Sequence, residues 1–152
     1  MKIYQLQRKQ LLPITIEEAW DFFSKAENLQ SITPDYMNFL ITNSPGTEIY
    51  NGQLITYKVS PILSVPLTWV TEITHVKTHQ YFIDEQRFGP FKFWHHQHHF
   101  KETDAGIHME DRLHYALPFS FIGRTAHSLV VRNRIESIFD YRYKHLEERF
   151  QS

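Results

Sequence analysis

The sequence predicts an α+β fold: a curved antiparallel β-sheet wrapped around a long C-terminal α-helix, with short helices after the first strand. Three observations predict it. Apolar and polar residues alternate through most of the chain up to residue 117, Gly and Pro turn signals interrupt that alternation repeatedly, and after Pro118 the apolar spacing changes to three and four. At 152 residues the chain is about one domain long, and residues 1–152 read as a single domain.

The elements follow in order. Residues 3–12 carry Tyr4, Leu6 and Leu12 at even spacing with polar residues between, a strand ended by Pro13. In TIEEAWDFFSKAENL, residues 15–29, Thr15 can cap a helix and Glu18 completes a capping box, while Ile16, Ala19, Trp20 and Phe23 form an inward stripe. Pro34 closes the helical region. Strands are then expected at residues 36–42, 52–60, 67–76, 80–87, 91–101 and 107–117. The breaks between them are Pro45-Gly46, Asn51-Gly52, residues 61–66, residues 77–79, Gly89-Pro90 and residues 104–106. From about residue 122 to 150, Ala126, Leu129, Val130, Ile135, Ile138, Phe139, Arg142 and Leu146 recur at helical spacing. That stripe has only the sheet to cover, so the sheet must wrap the helix.

Composition narrows the function classes. The formal charge is −1 and no Lys/Arg-rich tract occurs, which disfavours nucleic acid as a partner. The absence of cysteine excludes disulfides, thiolate ligands and thiol nucleophiles, and suits a reducing, cytoplasmic location. The start, MKIYQLQRKQ, has no apolar signal region, and no apolar run approaches membrane-spanning length, so no membrane insertion is expected. There is no G-x-S-x-G elbow, phosphate loop or dinucleotide fingerprint, and no cofactor is expected. Aromatic residues reach 15%, enough large rings either to fill a core or to line a cavity.

Three stretches and a helical motif carry a resemblance. NLQSITPDYMNF, YFIDEQRFGPFKFWHHQHHF and GIHMEDRLHYALPFSFIGRTAH, followed by IFDYR, resemble the stand-alone bacterial branch of the SRPBCC superfamily. That superfamily groups START-like lipid carriers, polyketide cyclases and the birch-pollen allergen, and its shared fold is the helix-grip. The resemblance implies a hydrophobic pocket between sheet and helix, a ligand of lipid, polyketide or isoprenoid type, and neither metal nor established reaction. It also matches Asp84 and Gln86 to a strand motif before the Gly-Pro turn.

The histidine-rich stretch FGPFKFWHHQHHF, residues 88–100, decides between container and enzyme. On a strand, Trp94, His96, His98 and Phe100 share one face, and Phe93, His95, Gln97 and His99 the other. On the following strand the apolar face is Ile107, Met109, Asp111, Leu113, Tyr115 and Leu117. An even turn centred on Asp104-Ala105 sets His98 opposite Asp111, His96 opposite Leu113 and Trp94 opposite Tyr115, with His95 and His99 exposed. An imidazole and a carboxylate then meet on an apolar face, where pairing is how the interior tolerates them. Asp84 and Gln86 face the same way if the Gly-Pro turn has three residues; a two-residue turn brings Tyr81, Ile83 and Glu85 inward instead. Arg142 is either the counter-charge to a ligand or a partner of a protein carboxylate such as Asp111. Trp20, Tyr57, Trp69, Ile135 and Phe139 complete the candidate lining.

His96, His98 and Asp111 have the ligand types of a metal site, but no metal is assigned. Three function classes stand: a non-catalytic binding or carrier protein for a small hydrophobic molecule, which leads; a cyclase-like or hydrolase-like enzyme using His98 and Asp111 as acid and base; and a protein-interaction module with a filled interior.

Overall fold

In the computed structural model, which describes residues 1–43, 45–46, 48–60, 64–118 and 124–151 (124–128 by backbone alone), the alternating segments join into one antiparallel sheet. The elements are β1 (Tyr4–Leu12), α1 (Ile16–Phe23), α2 (Ala26–Ser31), a 3₁₀ turn (Asp35–Met37), β2 (Leu40–Ile41), β3 (Gln53–Val59), β4 (Leu67–Lys77), β5 (Tyr81–Phe88), β6 (Phe93–Thr103), β7 (Gly106–Ala116) and α3 (Arg124–Phe150). The strand order is β1-β7-β6-β5-β4-β3-β2, so every neighbour is a sequential hairpin partner except β1, which closes onto β7. Register shifts in the β4–β5 ladder at Val70/Thr71 and Ile73/His75 bend the sheet, as bulges do. α3 lies across the concave face as its apolar stripe requires. Among the described residues no helix is long and apolar enough to cross a membrane.

Local chemistry sets the element ends. Thr15 accepts from the Glu18 amide at 3.2 Å and the Glu18 carboxylate accepts from the Thr15 amide at 2.8 Å, the expected capping box. Asp104-Ala105 make a two-residue turn between Thr103 and Gly106, and the pairings His98↔Asp111, His96↔Leu113 and Trp94↔Tyr115 follow as expected. Gly106 holds a positive φ of 127°, and a Cβ there would lie 2.2 Å from the Leu12 carbonyl oxygen.

Several expectations need correction. The strand expected at 36–42 shrinks to Leu40–Ile41, because the 3₁₀ turn precedes it and Asn38 takes a left-handed φ of 47° that no strand accommodates. On α1 the stripe also takes in Phe22, buried and edge-on against both Phe23 and Phe150, while Phe23 is half-buried on the cavity wall. On α3, Leu129 and Val130 are exposed at 60% and 57%. Counting back four from Ile135 reaches half-buried Val131, so the covered stripe runs Val131, Ile135, Ile138, Phe139, Arg142 and Leu146. Residues 61–63, 122 and 123 and the side chain of Ala126 lie outside the described residues.

Three apolar clusters hold the layers together. Leu12, Ile16, Ala19, Trp20, Phe82, Phe100, Ile107 and Leu146 bind α1 and the end of α3 to the sheet. Leu113, Tyr115, Ile135 and Phe139 join the middle of α3 to β7. Met37, Phe39, Val59 and Trp69 form the third, under the far strands. Between them the layers do not close.

Candidate functional site

The gap is a cavity of about 530 Å³, within the range of small-molecule sites. Most of its wall is apolar. Helix α2 and the segment after it bring Leu29, Ile32, Met37 and Phe39; the strands bring Ile55, Trp69, Ile73 and Trp94; α3 brings Ile135, Ile138 and Phe139. Lys25, Asn28, Thr33, Thr71 and Arg134 add polar positions to the wall, and one buried cluster of titratable groups interrupts it.

The cluster is built from four strand positions and one helix position. β5 and β6 pair with Asp84 opposite His96 and Phe82 opposite His98, which turns Asp84 and Gln86 to the concave face, although the connection, residues 89–92, is neither of the two turns the sequence offered. Gln86 is used locally: its Nε2 donates to the Phe91 carbonyl at 2.7 Å and its Oε1 accepts from the Phe91 amide at 3.1 Å, closing the turn. Asp84 is used by the cluster. His98 Nε2 donates to Asp84 Oδ2 at 2.6 Å, and His98 Nδ1 lies 3.3 Å from Asp111 Oδ1. His96 Nε2 donates to Asp111 Oδ1 at 2.9 Å, with its Nδ1 3.5 Å from Asp84 Oδ2. The two rings lie 3.8 Å apart by their centroids. The expected His98–Asp111 pair is thus part of a closed circuit, and the shortest bonds run His98 to Asp84 and His96 to Asp111.

Electrostatics follow from that circuit. Burial alone raises both carboxyl groups, but bonds from the imidazoles and their charge outweigh it, holding Asp84 and Asp111 below the ordinary carboxylate range. Burial lowers His96, and the neighbouring His98 adds to that. Burial opposes charge on His98 too, yet hydrogen bonds to both carboxylates win and its pKa is raised. The surroundings therefore favour the charged form of His98 and the neutral form of His96.

Arg142 overlooks the cluster from α3. Its guanidinium stacks 5.1 Å from the Phe139 ring centroid. The expected pair with Asp111 does not form: among the described residues no carboxylate lies within 4.0 Å of it, and its buried Nε has no hydrogen-bond partner. Burial lowers its pKa, with Asp111 and Asp84 opposing. A guanidinium starts so far above neutrality that it keeps its charge.

Of the other sequence candidates, Tyr57, Trp69, Trp94, Met109, Ile135 and Phe139 line the cavity. Trp20, Leu113 and Tyr115 do not; they are buried in the clusters that tie the helices to the sheet, Trp20 edge-on to Phe82 and Phe100. His95 and His99 are half-buried, not exposed, because Gln97 between them bonds to both, at 3.1 and 2.9 Å, and Glu85 lies 3.3 Å from His95. Thr71 was missed. It is a buried polar residue on the cavity wall, its hydroxyl 3.1 Å from that of Tyr57, and its spacing of two from Trp69 was the readable signal. Asp84, His96 and His98 are also the described group whose donor atoms converge enough, within 4.8 Å, for a cation. The Nε2 atom of each ring is already hydrogen-bonded to a carboxylate.

No model of a protein family matches the sequence, and no curated protein does either. Solved structures do match in fold. They include the Zhui aromatase/cyclase from a Streptomyces species, at TM-score 0.77 and 9% identity over 99% of this chain and 94% of that one. A Thermus thermophilus protein, TTHA0849, matches at TM-score 0.71 and 14% identity over 97% of each chain. Ara h 8.0201 matches at TM-score 0.63 and 10% identity over 97% of this chain and 99% of that one. The chain therefore has a helix-grip fold. Identities this low carry the fold and nothing finer.

Proposed function

We propose that the protein binds a small hydrophobic molecule in the cavity between sheet and α3 and holds it unchanged, as a member of the stand-alone SRPBCC branch. The observation that carries this reading is the wall: about 530 Å³ of space, mostly apolar, with one buried cluster able to orient a polar group. A space of this size also argues against an interaction module with a filled interior. Native mass spectrometry of protein purified from its own cell tests the proposal. A co-purifying lipophile of lipid, polyketide or isoprenoid type is expected, released on denaturation. Protein that stays free of ligand there, and that no lipophile stabilises, would end the binding reading.

A second reading has one observation in its favour. His98, whose charged form the two carboxylates favour, and His96 beside it, whose neutral form burial favours, could serve as acid and base on one cavity wall. The fold neighbour named an aromatase/cyclase belongs to this line of thought. Turnover of a cyclisable polyketide or ester, lost in both His98→Ala and Asp111→Asn with folding intact, would replace the carrier reading with an enzyme.

A further inference from the structure

We propose that the ligand is an acidic amphiphile, a long-chain or isoprenoid monocarboxylic acid, whose carboxylate is held by Arg134 at the rim of the cavity while its apolar body fills the space between sheet and α3; this rests on reading the cavity as a binding site. The engagement of the other polar groups and the mounting of Arg134 both lead there.

Nearly every polar side chain of the wall already has a partner. Lys25 donates to Asp21 at 2.7 Å, Asn28 to the Phe22 carbonyl at 2.8 Å and Thr33 to the Leu29 carbonyl at 2.6 Å. The Tyr57 and Thr71 hydroxyls bond to each other, and Asp84, His96, His98 and Asp111 form their closed circuit. The Trp69 indole N–H is unpaired but buried, out of a ligand's reach. Two guanidinium groups of α3 remain. Neither Arg134 nor Arg142 has a carboxylate within 4.0 Å or a side-chain hydrogen bond among the described residues. The two are not equivalent. Arg142 looks onto Asp84 and Asp111, whose charges offset its own, whereas the acidic residue two positions beyond Arg134, Glu136, is taken by Arg132 at 2.9 Å. An anion entering the cavity therefore meets its uncompensated partner at Arg134.

Arg134 is also mounted for the task. Its guanidinium carbon lies 4.7 Å from the Tyr36 ring centroid, and the Tyr36 hydroxyl is 3.3 Å from Ser137 Oγ on the next turn of α3. Stacking fixes the plane of the fork and leaves its edge N–H groups free, which is how an arginine takes a carboxylate through two parallel bonds. Tyr36 is 43% exposed and Arg134 half-buried, so this pair stands at the solvent edge. A carboxylate there keeps part of its hydration, at far less cost than a charge carried to the inner wall. Inward of it the wall is apolar, with Ile138 and Phe139 on α3 and Trp69 and Trp94 on the sheet. Arg142 comes eight residues after Arg134, about 12 Å along a helix that rises 1.5 Å per residue, a span that an alkyl or isoprenoid chain can follow. One guanidinium matches one negative charge, which selects a monocarboxylate over a phosphate dianion.

cis-Parinaric acid and its methyl ester, fluorescent chains that differ only in charge and one methyl group, test this by titration at alkaline pH and low salt. The acid is expected to bind about ten- to a hundredfold tighter than the ester, the effect of a hydrogen bond to a charged group. That gap should narrow at high salt, because the rim is open to solvent. Arg134→Gln should bring the acid down to the affinity of the ester and leave the ester unchanged, and Arg134→Lys should restore part of the preference. Equal affinity for acid and ester, or a preference that survives Arg134→Gln, would overturn the inference and leave the cavity reading standing. Binding of neither probe would overturn both.

Discussion

His98 stands between two carboxylates, so deleting its ring strands both negative charges in an apolar wall. We expect His98→Ala to destabilise by about 3–5 kcal/mol, the range for removing one partner of a buried ion pair, measured by urea denaturation. Adding Asp84→Asn and Asp111→Asn should recover much of the loss, since the stranded charges then vanish too. The cluster also has a pH signature. A raised folded pKa means that the stabilisation from His98 is complete below its unfolded value of 6.5 and drains away as pH rises through the folded value. The destabilisation by His98→Gln should therefore be largest near pH 6 and shrink towards pH 9. His96, whose pKa is lowered, acts in the opposite sense: its neutral form is complete above 6.5, and stability falls as pH drops below that. The opposition of His98 and Asp111 was legible because the turn at Asp104-Ala105 sets register through an even count. The four-group circuit was not, because Asp84 reaches it across the other edge of β6, through a connection whose length the residues leave ambiguous.

At the scale of elements, two glycines separate strain from collision. Gly52 holds φ 88° with open space where a Cβ would go, whereas at Gly106 that atom would strike the Leu12 carbonyl. Gly52→Ala should cost about 1–2 kcal/mol, the penalty for an L-residue in left-handed backbone. Gly106→Ala should cost distinctly more in the same thermal or urea melt, because β1 must move to admit it. Thr15→Ala should cost about 1 kcal/mol by removing half of the capping box. The long strands were legible because half-buried strands must alternate, as β4 and most of β3 and β7 do. The phase of α3 near Leu129 and Val130 was not, since two adjacent apolar residues fit several stripes, and only packing against a particular sheet selects among them. The segment around Asn38 failed for a backbone reason: one left-handed residue ends a strand while leaving its apolar spacing intact.

The whole molecule is a shell with a polar spot on its inner surface, and its thermal behaviour should reflect that. A ligand that binds only the native state raises the melting temperature by mass action. Dialysed protein treated with a chelator should melt where untreated protein does, since protonated histidine and carboxylates already satisfy one another; a drop of several degrees would mean that Asp84, His96 and His98 hold a cation. The strand order has a further consequence, in time instead of space. β1 is made first, but its hydrogen-bonding partner is β7, with Tyr4 paired to Tyr115. At synthesis rates of about 5–20 residues per second, β1 remains an unpaired edge for several seconds while β2 to β6 emerge and can form hairpins in sequence. Closing so long a loop makes this pairing a late and slow event. Of its side chains, the ones turned outward are Gln5, Gln7, Lys9 and Leu11, mostly polar residues that discourage a stray strand from joining that edge during the wait.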